Sequence, residues 1–208
     1  MTHVFDMQLH KIQIGADYPE WEARFPYVGE AGKKTGEIVD AWRSGLRKNT
    51  PDEMPKELIV RKPRKTWPDA FETLNGLLVV SGAAKDVIER LDPGLHQFFP
   101  LSIRTKRGVV IEGPWFAMNV TERQNSIVIE QSRVLVNKRA PDRLCSFLWD
   151  FKHVTVDPSK LSGIHFWREA RFRGSLLGSD ALLKELKDAG VKFFSSFKAK
   201  EFNKDLEA

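Results

Sequence analysis

The densest gathering of residues able to act together is Ile164-His165-Phe166-Trp167-Arg168-Glu169-Ala170-Arg171-Phe172-Arg173. On a strand, successive side chains alternate between faces. Trp167, Glu169, Arg171 and Arg173 therefore share one face, and Phe166, Arg168 and Phe172 the other. Three uses compete for such a stretch. Arg171 and Arg173 can hold phosphate or a partner's carboxylates in fork geometry. They can grip single-stranded nucleic acid beside stacked aromatics. Or they pair with internal carboxylates such as Glu169 and fix a turn. Internal pairing is the common fate of a single arginine, yet Trp and Arg also dominate interface energetics, which places protein binding above nucleic acid. Trp115, Trp167, Arg168, Arg171 and Arg173 are accordingly the candidate anchors for a partner. The run Arg61, Lys62, Arg64 and Lys65 would steer the encounter. Surface anchors of this kind can be replaced by alanine at a cost to binding alone. A fall in melting temperature as well would mark Arg171 or Arg173 as structural.

Groups that would make bonds are harder to assemble. Gly29-Glu30-Ala31-Gly32-Lys33-Lys34-Thr35 has a Gly-Lys pair, but two residues separate its glycines and Lys34 sits where a phosphate loop needs Ser or Thr. His3, His10, His96, His153 and His165 are scattered without metal-ligand spacing, and Cys145 has no Cys or His beside it. Between Leu144 and Phe147, Cys145 reads as a buried, inert thiol. Ser81 sits at a strand-to-helix turn, but Val79-Val80-Ser81-Gly82-Ala83 lacks the first glycine of a nucleophile elbow. Helix capping accounts for it better. The expectation is a protein with no catalytic residue, metal or cofactor.

The elements that must position these residues read most clearly after residue 77. Leu77-Leu78-Val79-Val80 is a buried strand, Ser81 an N-cap, and Ala83 to Leu91 an amphipathic helix with Val87, Ile88 and Leu91 inward. Strands follow at 98–103, 109–111, 115–120, 127–129, 134–136, 147–149, 153–156 and 164–167, spaced as in a meander. Ser175-Leu176-Leu177-Gly178, the N-cap Ser179, a helix from Asp180 to Ala189, and Val191-Lys192-Phe193-Phe194 then repeat the first unit down to a Phe-Phe pair matching Phe98-Phe99. The fold class is α+β: mostly antiparallel sheet with two or three short helices and a possible strand-helix-strand duplication. The strands stand too close together for parallel crossovers. Residues 3–14 suggest a first strand. From 15 to 70, six X-Pro steps indicate an extended arm with a short helix at 36–47. Trp21, Phe25, Trp42 and Trp67 pin that arm to a core. The working division is 1–70 as this strand and arm, and 71–208 as an α+β domain, together one compact unit.

Composition bounds the setting. The 208 residues carry 33 basic and 28 acidic side chains, and residues 33–65 alone hold ten basic against five acidic. That surplus suits an acidic partner, a membrane surface or nucleic acid, unless it is simply solvated. There is no zinc-finger spacing and no aromatic-glycine RNA-binding signature, and both clear helices mix charges (Lys85, Asp86, Glu89 and Arg90; Lys184, Glu185, Lys187 and Asp188). Nucleic acid is the weaker option. No apolar run reaches the roughly 20 residues that span a bilayer. A lone cysteine and an N-terminus without an apolar h-region lead us to expect a cytoplasmic protein.

From about Leu77 to Phe194 the chain resembles a bacterial family first catalogued as a domain of unknown function and later grouped with polymorphic-toxin immunity proteins as immunity family eleven. The resemblance is carried in order by Val80-Ser81 and its helix, Phe98-Phe99-Pro100-Leu101, the Trp115–Val120 strand with Asn119-Val120, Phe166-Trp167-Arg168, and the Ser-capped helix ending at Ala189-Gly190. The first 70 residues stand outside it or match weakly. It implies a protein made beside a secreted toxin that protects its producer by binding that toxin, with no active site. The basic surplus then suggests a toxin with an acidic contact surface rather than a strongly basic nuclease. Two other readings stay open: an enzyme with an unfamiliar site, and a basic nucleic-acid module whose affinity falls steeply with salt.

Overall fold

A computed structural model describes residues 1–6, 14–26, 29–62, 64–133, 136–137, 140–144, 153–171, 175–192 and 195–202. In chain order the strands are β1 (Thr2–Asp6), β2 (Ala16–Asp17), β3 (Glu57–Val60), β4 (Ala70–Glu72), β5 (Leu78–Ser81), β6 (Gln97–Thr105), β7 (Trp115–Asn119) and β8 (Arg123–Gln124). They continue with β9 (Val136–Asn137), β10 (Ala140–Leu144), β11 (Thr155–Val156), β12 (Phe166–Glu169), β13 (Leu176–Ser179), β14 (Ser195–Lys198) and β15 (Lys200–Glu201). The helices are α1 (Pro19–Arg24), α2 (Gly29–Ser44), α3 (Gly82–Leu91) and α4 (Asp180–Asp188).

The two capped helices organise this list. Ser81 leaves β5 in an extended conformation and its hydroxyl accepts the Ala84 N–H at 3.3 Å, which satisfies one orphan donor of α3. Ser179 does the same at the end of β13, accepting from Leu182 N–H at 3.1 Å. Apolar residues at helical spacing, Val87 and Ile88 on α3 and Leu182 and Leu186 on α4, then face inward and are buried.

β5 and β6 flank β7 and both run antiparallel to it, so they are parallel to each other and α3 is their crossover. β13 and β14 flank β1 in the same relation, with α4 as the crossover. The sequence duplication is thus a repeated split strand-helix-strand unit. Its second Phe-Phe pair, Phe193-Phe194, lies outside the described residues. The expectation of no parallel relations is corrected: β3 pairs β6, β8 pairs β12 and β11 pairs β15 in parallel. Spacing along the chain misled because it compares strands that follow one another, whereas these parallel partners come from far apart, Val60 meeting Thr105, Arg123 meeting Arg168 and Thr155 meeting Lys200. The sheets remain mostly antiparallel.

The six-stranded sheet has the order β2-β3-β6-β7-β5-β4, and its strands β5 and β7 are covered on both faces. Leu78, Val80 and Met118 face α3 and α4, while Leu77, Val79 and Ala117 face the N-terminal helices. The five-stranded sheet, β14-β1-β13-β12-β8, meets α3 and α4 with Phe166 and Leu176 and buries Trp167 and Leu177 on its other side.

The arm between 15 and 70 holds more helix than its prolines suggest. Pro19 occupies the first turn of α1, where a missing N–H costs nothing. α2 starts at Gly29, not 36, because burying Ile38, Ala41 and Trp42 outweighs the low propensity of its glycines. Trp21 and Trp42 meet with ring centroids 5.0 Å apart, and Trp21 Nε1 donates to the Glu53 carbonyl at 2.6 Å. Gly45 closes α2 at φ +64, where a Cβ would stand 2.0 Å from the Val120 carbonyl oxygen.

Ser81→Ala and Ser179→Ala should each lower stability by about 1 kcal/mol in urea denaturation, the ordinary value of an N-cap hydroxyl. A loss at one serine only would show that the two units are not equivalent.

Candidate interaction surface

Phe172 lies outside the described residues; Phe166–Glu169 becomes β12, within which Trp167 and Glu169 alternate with Phe166 and Arg168 as read. Both of its faces are interior. Trp167 is buried, with Nε1 donating to Ser126 Oγ at 3.3 Å. Glu169, also buried, accepts the Ser126 N–H at 2.8 Å, the Ser126 hydroxyl at 3.0 Å and the Ile127 N–H at 3.0 Å, all on Oε2. Arg171 donates through Nε to Glu169 Oε1 at 3.3 Å and through Nη2 to the Ile127 carbonyl. These bonds fasten the 126–127 loop to β12.

On the opposite face Arg168 is fully buried and reaches the C-terminal turn of α2, donating through Nη2 to the Trp42 carbonyl at 3.1 Å. A cation there satisfies an orphan carbonyl and complements the helix dipole. Burial lowers its pKa to about 10; Glu72 pulls it up while Arg43 and Arg123 push it further down, and it stays charged at neutral pH.

The structure thus places three of the expected partner anchors, Trp167, Arg168 and Arg171, in internal contacts. The first two present no surface and the third is engaged internally. The sequence could not show this because it does not reveal that the five-stranded sheet is covered on both sides. Arg173 and Cys145 lie outside the described residues.

One nucleophile-base pair does form. His165 Nδ1 stands 2.8 Å from Ser179 Oγ. The nearby buried carboxylate, Asp92, accepts the backbone N–H groups of His165 and Phe166 (2.9 and 2.8 Å) and does not orient the ring. Since Ser179 Oγ also accepts from Leu182 N–H, the arrangement is a capped helix start with a histidine on it. Asp92 caps the edge of β12, with His96 Nε2 at 3.6 Å. Burial raises the Asp92 pKa, but the nearby His96 ring and the hydrogen bonds from the His165 and Phe166 N–H groups outweigh it and leave the carboxyl below its ordinary value. Among the described residues no group of three or more His, Cys, Asp or Glu gathers to hold a metal. No described helix is long and apolar enough to cross a membrane.

The remaining candidates reach the surface. Trp115 is mostly buried against Phe71 and forms a wall of an open groove of about 570 Å³. Met54, Phe99, Pro100, Pro114 and Phe116 line it with Trp115. An open apolar concavity suits an apolar side chain better than a reaction. The sequence missed it because its wall joins three separated segments, whose shared signal is proline, beside an aromatic in only two of them. Arg61, Lys62, Arg64 and Lys65 are exposed at and beyond the end of β3. Arg61 donates twice to Asp17 Oδ1 (Nε 2.9 Å, Nη2 2.7 Å), and this hydrogen bonding holds the Asp17 carboxyl below its ordinary range.

The model of a family described as "Immunity protein family (Imm11)" matches residues 12–204. The match begins well before Leu77, so it takes in most of the first 70 residues, which the sequence resemblance left outside. No curated protein matches the chain.

Arg171→Ala should lower the melting temperature, with a loss of about 1–2 kcal/mol for the loop bonds removed; an unchanged melt would return Arg171 to the surface. Asp92 sets an acid limit. Its folded pKa is depressed, so its stabilisation is complete above the ordinary aspartate value near 4 and is lost as pH falls through the lower folded value. Denaturant midpoints of the wild type should fall across that acid window, and those of Asp92→Asn should fall less. Parallel pH profiles would assign the acid limit to other carboxylates.

Proposed function

For a chain that belongs to the Imm11 immunity protein family, we propose that the activity is stoichiometric binding and neutralisation of a cognate toxin inside the producing cell, without catalysis. The observation that carries this reading is the family match over residues 12–204. The bonding of the polar groups supports it. Glu169, Arg168, Asp92 and Ser179, the residues best suited to chemistry, are engaged in loop fastening, helix ends and caps. What the molecule offers outward is shape and charge. Trp115 in its groove is the proposed apolar contact, and Arg61, Lys62, Arg64 and Lys65 supply a basic approach to an acidic toxin surface.

The test is titration of the cognate toxin, which this reading expects to be encoded beside the gene. Protection should saturate at one equivalent, and the two proteins should co-purify as a stable complex. Sub-stoichiometric protection against a large excess of toxin, with no lasting complex, would establish turnover and end the binding reading. A cognate toxin with a strongly basic contact surface would refute the acidic partner while leaving binding intact.

A further inference from the structure

β3 and β6 are parallel neighbours in register, Val60 opposite Thr105, so both strands finish at the same end of the six-stranded sheet. Arg61-Lys62 follows one and Lys106-Arg107 the other, and all four side chains belong to exposed residues. Asp17, from the adjoining strand β2, binds Arg61 and lies 3.7 Å from Lys106 Nζ. It offsets one of four cations.

Beside this cluster the chain exposes apolar side chains where a turn would ordinarily be polar. Val109 is 60% exposed and Val110 67%, and Leu74 is 57% exposed. Among the described residues only Met1 and Leu46 are other large hydrophobics so exposed. Leu74 and Arg61 both flank Gly15, which joins this third apolar residue to the basic cluster.

The valines are held in place. Gly108 takes φ +81 and donates its N–H to the Thr105 carbonyl at 2.9 Å. Thr105 N–H donates to the Val109 carbonyl at 2.8 Å, Val109 N–H to Thr105 Oγ1 at 3.2 Å, and Ile111 N–H to the Ile103 carbonyl at 2.8 Å. A β-branched side chain on a fixed backbone has little rotamer freedom to lose on binding.

We infer that the Lys106–Val110 turn is a docking knuckle whose valines enter an apolar pocket rimmed by carboxylates on a protein partner, with Arg61, Lys62, Lys106 and Arg107 as its basic collar. This rests on the proposed toxin binding and adds to the Trp115 groove a second contact at the basic end of the sheet. Charge complementarity selects an acidic rim, and exposed Val and Leu select an apolar pocket within it. Nucleic acid fits less well, because Val109, Val110 and Leu74 offer bases no aromatic platform to stack on.

The probe is the toxin encoded beside this gene, mixed with the full chain. Val109→Asp/Val110→Asp should weaken binding about 100-fold, on the scale of a central hot spot. Lys62→Glu/Arg107→Glu should slow association about ten-fold and reduce its salt dependence. Both variants should melt with the wild type, since the changed side chains are exposed. Zero-length carbodiimide cross-linking of the wild-type complex, which needs no variant, should join toxin carboxylates to Lys62 and Lys106. Wild-type affinity in both variants, or cross-links only at lysines elsewhere, would overturn the knuckle while leaving toxin binding standing. No complex with the wild type would overturn both. Binding of a 20-nucleotide oligo-dT as tightly as the toxin would overturn the protein partner.

Discussion

α3 and α4 have ten and nine residues, too short to persist in water without tertiary cover. Their apolar faces must be buried, and the structure does this by setting the two helices between its two larger sheets. Leu78, Val80 and Met118 supply one wall of that core, and Phe166 and Leu176 the other. Much of the topology follows from this requirement. Each helix has to leave one strand and return to another on the same sheet, so each sheet carries a split unit with a foreign strand inserted. In the second sheet the insertion is β1, which binds the N-terminus between β13 and β14.

Covering sheets on both sides traps polar groups, and the interior answers with local bonds. Asn119 donates to the Arg47 carbonyl at 3.0 Å, to Asn49 Oδ1 at 3.0 Å and to Gln97 Oε1 at 3.1 Å, tying the segment after α2 to the ends of β6 and β7. Arg168 closes α2 from the second sheet, Asp92 holds the start of β12, and Glu169 holds the loop after β8. Left unpaired, any of these groups would carry the desolvation cost of a buried polar atom. They give the layers a unique register, and their side chains are thereby committed to structure.

This division explains what could be read from the chain. The capped helices, β5 to β7 and the duplication were legible because serine caps and apolar periodicity are local signals. The alternation of Trp167 and Glu169 against Phe166 and Arg168 was legible for the same reason. The burial of both faces was not, since it depends on tertiary neighbours: Val154, Val156 and Ala199 against Trp167, and the Trp42 carbonyl of α2 against Arg168. Trp and Arg in one segment suggest an interface as readily as an interior. The N-terminal arm misread in the other direction. Pro19 and the glycines of α2 look like breakers until the packing of Trp21 on Trp42 is known.

Charge shows the same separation of inside from outside. Within residues 33–65, Glu53 is bound to Arg47 and Glu57 to Arg104, which comes from the neighbouring strand. Asp52 lies 3.9 Å from Arg24. Three of the five acids of the basic segment are thus answered by arginines nearby, two of these from outside it, and positive charge is left at the end of β3 and β6. A field concentrated at one end of a rigid sheet orients an approaching acidic partner before contact, whereas the same charges spread evenly would not. Because the Lys106–Val110 turn is hydrogen-bonded and grows from β6, whose Leu101, Ile103 and Thr105 are buried, little order would have to be gained on docking. On the proposed reading, affinity then depends on how well a toxin's pocket matches a fixed shape, so relatives that share the buried bonds but differ in this turn would share the fold and bind different toxins.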